Sequence, residues 1–570
     1  MNKGTQMLKS KGAGSSGLLW AAVASCACLA SCATPEERRL SEYVDSLDQR
    51  HPASTAPAGV QVSSVTQRAP GAPQVKPPET LRTLSPQGER APAPPGPLSL
   101  TVSQAVLSAL ENNRSLVVQR YNPSIQRTFE QQQRAVFDPD LAGLFSFDSN
   151  RVNQPTVPPT LSHFQDYTGR AGISEFLPTG THLGLTGGAT VNEFPADRQG
   201  KFASDVALTA TQSLLRGFGL AANLASLRQA RLDTLSSEYE LRGLAESLVA
   251  QTEETYWDLA LAKQQIDIFT NSLSLAQQQM AETRERIRLG KVAETELVAA
   301  EAEAALRRED LINARSALDT TRLQLLRLVN LGADAFEKEV ILAEPPTVPN
   351  EPLDNLSDHL QLARQMRPDL NQARLQIDRG DLEVVKTKNG LLPKLDLFVS
   401  LGRTGYARSF GDSASNLGGS NYDLLAGVSL EYPIGNRDSK ARYNRAVLTR
   451  EQAKDAVANL AQLIEVDVRT GYIEILRAKE QVTATAATRK LQEEKLRVEQ
   501  EKFRVGKSTA FLVGQAQRDL LASQISEIRA VVNCRKAVAE LYRLEGSLLS
   551  RRGLVAPGAA PPSGPQPLVY

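Results

Sequence analysis

The sequence predicts a mainly helical protein that carries a short transmembrane β-sheet and is built from a duplicated helix–β-hairpin–helix unit. The duplication is indicated by residue spacings that recur at a constant offset along the chain. The helices are indicated by a long proline-free stretch with helical periodicity in each copy. The sheet is indicated by period-two alternation of apolar and polar residues in the middle of each copy.

The N-terminus has the features of an export signal. Three lysines precede a short apolar run over residues 18–30, which is too short to span a bilayer. The run ends at residues 29–32 (LASC), which resemble the lipobox of bacterial lipoproteins, in which the cysteine is acylated. We therefore predict a signal peptide over residues 1–31 and a palmitate-bearing lipid anchor on Cys32. Cys26 also fits the pattern but leaves a very short apolar region, and an ordinary signal peptide with incidental cysteines is the alternative.

Residues 32–98 and 551–570 are predicted to be disordered, because Pro, Ala, Ser and Gln dominate and large apolar side chains are few. The first segment reads as a lipid-anchored linker and the second as a Pro-rich tail. The formal net charge is +1 and no basic block suits nucleic acid. After cleavage before Cys32, the one other cysteine is Cys534, so no disulfide framework is expected.

The rest of the chain divides into two copies of one unit, residues 99–345 and 346–550. The offset between copies is 254 residues in the first part of the unit and 216 residues in the later part. The difference, 254 minus 216, places an insertion of 38 residues in the first copy, between Pro139 and Gly219. The matching residues include Leu116 and Leu370, Pro139 and Pro393, Tyr256 and Tyr472, and Gly290 and Gly506.

Each copy is predicted to contain one long helix with shorter partners. Residues 222–289 and 438–505 carry apolar residues at alternating steps of three and four, and each would span roughly 100 Å at 1.5 Å per residue. Partner helices of roughly 50 Å are expected over residues 101–136, 295–329, 357–388 and 509–544. These helices alone would also fit a dimeric coiled-coil rod.

The middle of each copy is predicted to form membrane strands. Residues 395–402 and 427–432 alternate apolar and polar side chains in the second copy, and residues 406–420 suit an exposed loop. The matching strands of the first copy are residues 141–149 and 203–211. Hairpins with unpaired edges are not tolerated in lipid, and two per chain are too few for a wide pore, so other subunits must complete a barrel.

The inserted residues contain a further strand-like stretch, Ala171–Glu193, with a turn signal at residues 177–180. This stretch could add a hairpin to the barrel or fold at its rim, and the sequence leaves both open.

The chain resembles the TolC-type outer-membrane efflux proteins over residues 99–550. The local motifs that carry the resemblance are residues 367–370 (RPDL), 392–395 (LPKL), 214–219 (LLRGFG) and two glycine-containing helix–helix tips. The resemblance implies a homotrimer whose twelve-stranded β-barrel in the outer membrane of a Gram-negative bacterium is continued by an α-barrel through the periplasm. It also implies a periplasmic adaptor protein as partner and, through it, an inner-membrane pump of the RND or ABC class.

The two tips are the candidate functional sites. Glycine permits the left-handed cap of a tight helix reversal, and the resemblance implies that an adaptor grips these turns. The candidate docking residues are Gly290, Lys291, Thr295, Leu297, Gly506, Lys507, Ser508 and Phe511. The candidate gate residues are Arg286, Arg288, Glu294, Glu296 and Arg504. The family often places Asp six residues after the tip glycine, whereas this chain has Glu296 and Leu512 there.

The predicted function is a passive, gated exit duct for small molecules in a tripartite export system. The same duct could serve type I protein secretion, and a non-conducting periplasmic scaffold is a third possibility. The four histidines are scattered, so we expect no metal site, cofactor or catalytic centre. Tyr256 and Trp257 are expected to be packing residues.

Overall fold

The structure, a computed structural model, describes residues 97–154, 160–193, 202–290, 293–349 and 352–554. Cys26, Cys32, the predicted linker up to residue 96 and the tail from residue 555 lie outside the described residues. The described chain forms two compact units. The sheet unit consists of residues within 126–234 and 376–454, and the helical unit of residues within 97–125, 235–375 and 455–554.

The two long helices and two of their partners lie where the sequence predicts them. The long helices have 64 and 68 residues, or roughly 100 Å each. The helices of the described chain are α1 (Val102–Asn112), α2 (Arg114–Gln119), α3 (Tyr121–Arg134), α4 (Leu220–Asn223), α5 (Ala225–Arg288), α6 (Thr295–Val329), α7 (Leu356–Met366), α8 (Pro368–Asn389), α9 (Phe410–Ser415), α10 (Arg437–Arg504), α11 (Ala510–Leu544) and α12 (Leu548–Arg551).

The other two partner helices are interrupted, so the prediction of continuous helices over residues 101–136 and 357–388 was wrong. Extended backbone breaks them at Asn113 and Arg367, and a further break at Arg120 separates α2 from α3. Asn113 and Arg367 lie 254 positions apart (367 minus 113), which is the offset of the repeat. Pro368 disfavours helical geometry at Arg367. Asn113 ends α1 and caps α2, because its Oδ1 accepts hydrogen bonds from the amides of Ser115 (3.0 Å) and Leu116 (3.3 Å).

The sheet unit contains six antiparallel strands in sequential order, which makes three hairpins rather than two. The strands are β2 (Asp140–Gln154), β3 (Thr160–Phe176), β4 (Thr181–Glu193), β5 (Phe202–Ser213), β7 (Lys394–Ala407) and β8 (Tyr422–Glu431). The predicted strands at 141–149, 203–211 and 395–402 are confirmed within β2, β5 and β7, and the one predicted at 427–432 is confirmed within β8 except for Tyr432, which lies just beyond its end. The inserted residues supply the additional strands, and residues 406–420 hold the short helix α9 rather than a plain loop.

A row of large aliphatic side chains runs across all six strands, one residue from each. These residues are register partners in sequence, from the first strand of the sheet to the last. Their side chains are exposed by 36–79%. We call this set the aliphatic row, and it consists of Leu141, Ile173, Leu185, Leu208, Leu401 and Leu424.

The turn between β3 and β4 lies at the end of the sheet where α4 begins. Asn223 holds it there, because its Nδ2 donates to the carbonyl oxygens of Pro178 (2.9 Å) and Gly217 (2.8 Å). Gly180 has φ +91°, and a Cβ at this position would meet the Gly217 carbonyl oxygen at 2.2 Å. The turn predicted at residues 177–180 is therefore confirmed.

The helical unit packs around buried aliphatic and aromatic side chains from both copies. Tyr256 and Trp257 are buried there, which confirms their predicted packing role. The Tyr256 hydroxyl donates to the Leu100 carbonyl oxygen (3.1 Å) and accepts from the Glu344 amide (3.3 Å). Leu100 belongs to β1 (Leu98–Leu100), which pairs in parallel with β6 (Val340–Leu342). No described helix is both long and apolar enough to cross a membrane.

Candidate functional site

The helical unit contains two helix reversals, one per copy, where the sequence predicts the tips. α5 ends at Arg288 and α6 begins at Thr295, whereas α10 ends at Arg504 and α11 begins at Ala510. Gly290 and Gly506 have φ values of +71° and +75°, in the left-handed region that glycine adopts without steric cost. Lys291 lies outside the described residues.

Both reversals begin with a matching hydrogen bond from the amide of the tip glycine. The Gly506 amide donates to the Phe503 carbonyl oxygen (3.1 Å), and the Lys507 amide donates to that of Lys502 (2.8 Å). This pair of bonds defines a Schellman motif. In the first copy the Gly290 amide donates to the Ile287 carbonyl oxygen (2.8 Å) in the same way.

A prediction follows from the space around Gly506. A Cβ there would meet no atom within 4 Å, so Gly506→Ala would suffer from backbone strain alone and lose about 1 kcal/mol of unfolding free energy. Gly514 lies inside α11, where a Cβ would come no closer than 3.7 Å to another residue, so Gly514→Ala should gain about 0.5–1 kcal/mol. Chemical unfolding in detergent checks the two signs. Equal effects of the two substitutions would contradict the assigned cap.

The second tip is held to its own helix by a polar contact. Ser508 donates from its hydroxyl to Glu499 (2.9 Å), which also binds the Lys502 ammonium (2.7 Å). The hydrogen bonds from Lys502 and Ser508 lower the pKa of the Glu499 carboxyl below its usual value. Thr509 caps α11, since its hydroxyl accepts from the Leu512 amide (3.4 Å).

Both tips expose apolar side chains. Leu289 and Val505, which occupy matching positions in the two turns, are more than half exposed, and Phe511 is 66% exposed. Leu297 is half-buried. Exposed apolar groups grouped at one end of an element are typical of a surface that binds another protein.

The candidate gate residues differ in what they contact. Arg288 pairs with Glu285 of its own helix, and both side chains are at least half exposed. Arg504 pairs with Glu501 in the same manner. These two pairs link no helices, and exposed pairs of this kind contribute little stability.

Arg286 does connect the two copies. Its guanidinium lies over the ring of Phe503, 4.6 Å from the ring centroid, and so joins α5 to α10. Glu294 precedes α6 and makes no side-chain capping bond, while Glu296 faces a small groove near the tips. Of the five gate candidates, Arg286 is thus the one with a contact between the long helices.

A further ionic group between the copies was missed by sequence reasoning. Glu303 of α6 accepts from Arg518 of α11 (2.8 Å) and from Arg307 of its own helix (2.6 Å). The Arg307 side chain is 7% exposed and also binds Asp310 (3.0 Å). We call these four residues the Glu303 cluster. The Glu303–Arg307 spacing is visible in the sequence, but nothing there links Glu303 to a residue 215 positions away.

The repeat places an acid at the equivalent position of the second copy. Asp519 lies 216 residues after Glu303 (519 minus 303), which is the offset of this part of the unit. Its carboxylate binds Lys495 of the adjacent helix at 2.7 Å. The same acidic position is therefore paired with a neighbouring helix in both copies: Glu303 binds α11 of the other copy, and Asp519 binds α10 of its own hairpin.

The small groove beside the Glu303 cluster lies between α5, α6 and α11 and has a volume of about 70 Å³. Each of the three helices contributes small residues to its walls, among them Ala276, Ala300 and Gly514. Gln517 donates to Gln279 across it at 2.9 Å. The groove is too small for a ligand and reflects close approach of the three helices.

A second polar group is buried deeper in the helical unit. His359 and Glu545 have no exposed side-chain surface, and the imidazole Nδ1 lies 2.5 Å from the carboxylate. The other Glu545 oxygen binds Ser547 and Arg551, the latter at 3.0 Å. Among the described residues, no group of three or more His, Cys, Asp or Glu side chains is placed to hold a metal ion. We therefore assign the group a structural role.

Glu246 of α5 makes the helical unit sensitive to pH. Burial raises the pKa of its carboxyl to about 7, which outweighs the opposing effect of Arg242 at 3.4 Å. An unfolded glutamate titrates near 4.5, so the folded chain holds a proton that the unfolded chain has released between these values. The free energy of unfolding therefore falls as the pH rises from about 4.5 to about 7.

We expect Glu246→Gln to remove this fall. The wild-type chain should lose on the order of 1–3 kcal/mol between pH 5 and pH 8, and the variant should not. Chemical unfolding across this pH range is the measurement, with the exposed Glu282→Gln as control. A wild-type slope that survives in Glu246→Gln would assign the titration to another group.

Comparison with known proteins finds similarities over part of the chain. Residues 359–547 match the family model described as "Outer membrane efflux protein". The outer membrane protein TolC of Vibrio cholerae is 26% identical over 201 residues, which are 35% of this chain and 44% of the relative. Part of the chain, including most of its second repeat, is thus similar to the outer membrane efflux proteins.

Solved structures of two outer-membrane channels share the fold of this chain. The outer-membrane channel OprN superimposes with a TM-score of 0.61 at 17% identity, covering 78% of this chain and 90% of that one. The CmeC outer membrane channel of Campylobacter jejuni gives 0.59 at 15% identity, covering 78% and 86%. The expected resemblance to outer-membrane efflux proteins is thereby confirmed, and these similar proteins are described as outer-membrane proteins, in line with the expected location. The match to TolC spans less than half of that relative's length.

Proposed function

We propose that three copies of the chain form a passive, gated exit duct across the outer membrane and the periplasm. An inner-membrane pump of the RND or ABC class supplies the energy for export of small molecules and reaches the duct through a periplasmic adaptor. The single observation that carries the proposal is the aliphatic row, since side chains such as Leu141 (79% exposed) and Leu208 (52%) need a lipid environment. The two long helices of the same chain suit the periplasmic part of such a duct.

In the proposed duct, each domain predicted from the sequence has its own role. A signal peptide over residues 1–31 directs export, and acylated Cys32 anchors the linker 32–98 to the outer membrane. The two repeats, 99–345 and 346–550, then form the duct, with the Pro-rich tail after them. Acylation adds a second attachment to the membrane besides the sheet.

The tips serve both docking and gating in this proposal. The exposed Leu289, Val505 and Phe511 form an apolar surface for the adaptor. Two contacts between the repeats of one chain hold the closed state: Arg286 on Phe503 and Glu303 on Arg518. An adaptor that binds the open state more tightly shifts the equilibrium towards it.

We expect a photo-cross-linking amino acid at Phe511 to capture a periplasmic adaptor in intact cells. Leu491 is the matched control, because it is equally exposed (71% against 66%) but lies about 20 Å before the tip along α10. Mass spectrometry of the cross-linked product identifies the partner. Capture of an adaptor from Leu491 but not from Phe511 would contradict docking at the tips.

A further inference from the structure

The inserted hairpin, β3 and β4, has the same two-faced character as the four strands around it. Its Ile173 and Leu185 are the second and third members of the aliphatic row, paired with Leu141 on one side and Leu208 on the other. The row would be broken in the middle if the two faces of this hairpin were exchanged. A shift of register by one residue would place these side chains on the opposite face.

The opposite face of the same strands is small or polar. A second row of register partners lies next to the aliphatic row, and its side chains are on the other face. It includes Gly172 of β3, Thr186 of β4 and, at its end, Asp423 of β8. Thr168 of β3 and Thr190 of β4 form a hydroxyl contact of 3.4 Å on this face. An apolar face backed by a polar one is the pattern of a barrel wall between lipid and a water-filled lumen.

A contact on the polar face ties the hairpin to its neighbour. The Arg170 guanidinium of β3 reaches across β4 to Asp205 of β5, at 3.9 Å. It passes over Gly188, where a Cβ would lie 2.7 Å from the Arg170 side chain. Gly184 makes similar room for Thr209 of β5, 2.7 Å from its Cβ position. The hairpin is therefore fitted into the sheet and does not merely extend it.

The edges of the sheet are suited to each other. β2 and β8 are the first and the sixth of six successive antiparallel strands, so the two edge strands have opposite directions. Neither outer edge is paired within the described residues. In subunits related by rotation about the membrane normal, β8 of one subunit would meet β2 of the next as an antiparallel pair. Lipid tolerates no open edge, so a second copy must occupy this position.

We propose that the inserted hairpin is part of the barrel wall and that three copies close a barrel of eighteen strands. The inference rests on the trimeric duct proposed above and departs from the twelve strands that the family resemblance implies. Barrel diameter grows roughly linearly with strand number, so the outer mouth would be about 1.5 times as wide as with twelve strands. Barrels of about sixteen to eighteen strands leave an open aqueous channel. The mouth would then pass bulkier solutes than a twelve-stranded one.

The number of strands in the assembled barrel can be counted directly. Electron cryo-microscopy of the full-length trimer in lipid nanodiscs should show eighteen strands. A variant lacking residues 160–193 is the matched control, because removal of two strands leaves β2 antiparallel to β5 and should give twelve. Twelve strands in the wild-type trimer, with the hairpin outside the wall, would overturn the inference.

Labelling of single cysteines tests the two faces of the inserted hairpin. Leu185 and Thr186 are adjacent on β4, and both are exposed in the single chain. In reconstituted vesicles, a membrane-impermeant maleimide should label Thr186→Cys at least ten times faster than Leu185→Cys, which lipid shields. Equal labelling would place the hairpin in water at the rim, and faster labelling of Leu185→Cys would invert the faces; either result contradicts the inference.

Strand number and conductance test the barrel and the exit duct separately. A trimer that conducts ions but has twelve strands leaves the exit duct intact and removes the wider mouth. A trimer with eighteen strands that conducts in no tip variant supports the barrel and contradicts the duct.

Discussion

Glu303→Ala is expected to open the periplasmic end of the reconstituted duct. The substitution removes the carboxylate that joins α6 to α11 and leaves the buried Arg307 with Asp310 as its remaining acidic partner in the cluster. A charge-assisted hydrogen bond contributes about 1.5–3 kcal/mol. A bias of even 1–2 kcal/mol towards the open state multiplies its population about 5- to 30-fold. Release of a small fluorescent anion from vesicles should accelerate accordingly.

The controls separate the cluster from surface charge in general. Glu285→Ala removes an equal charge from a pair inside α5 and should leave the release rate unchanged. Arg518→Gln should reproduce much of the Glu303→Ala effect, and combining the two should add little, because both break the same contact. Faster release in Glu285→Ala than in Glu303→Ala would place the gate at the outermost turn instead.

Glu545→Ala is expected to cause the largest loss of stability of any substitution considered. The carboxylate is fully buried and binds His359, Ser547 and Arg551 together. Without this carboxylate, Arg551 retains its ion pair with Asp354 (3.1 Å), and His359 Nδ1 loses its hydrogen-bond partner. Breaking a buried pair by removing one member costs about 3–5 kcal/mol, which chemical unfolding in detergent would measure.

Two further variants keep this prediction testable if Glu545→Ala does not fold. Glu545→Gln retains the shape and one acceptor oxygen, so its loss should be smaller. Glu540→Ala in the last turns of α11 breaks a partly exposed pair with Arg543 and should lose less than about 1 kcal/mol. Equal losses in Glu540→Ala and Glu545→Gln would show that the buried group is not the stabilising feature.

The sequence predicts regular elements well, because their signals are local. The long helices follow from periodicity and the absence of proline, and the tip glycines from the need for positive φ, observed at Gly290 and Gly506. The break at Arg367 was also readable, since Pro368 follows it. The matching break at Asn113 is not followed by a proline. It is recognised in the structure from the hydrogen bonds by which Asn113 caps α2 and from its equivalent position in the repeat.

Contacts between distant segments could not be predicted. The sequence offered five charged gate candidates by proximity to the tip glycines, but Arg288 and Arg504 pair within their own helices. The links between copies are made by Arg286 with Phe503 and by Glu303 with Arg518, partners about 215 residues apart. The place of the inserted hairpin was likewise undecided, because strand order depends on pairing and not on periodicity alone.

Single-channel recording of the full-length lipidated trimer in a planar bilayer tests the central claim most directly. We expect discrete conductance steps in the wild type and larger steps or longer openings in Glu303→Ala and Arg518→Gln. Steps that do not change in these variants would leave a duct but move its gate elsewhere. Silence from well-folded trimers in every variant would contradict the exit duct and favour a non-conducting scaffold.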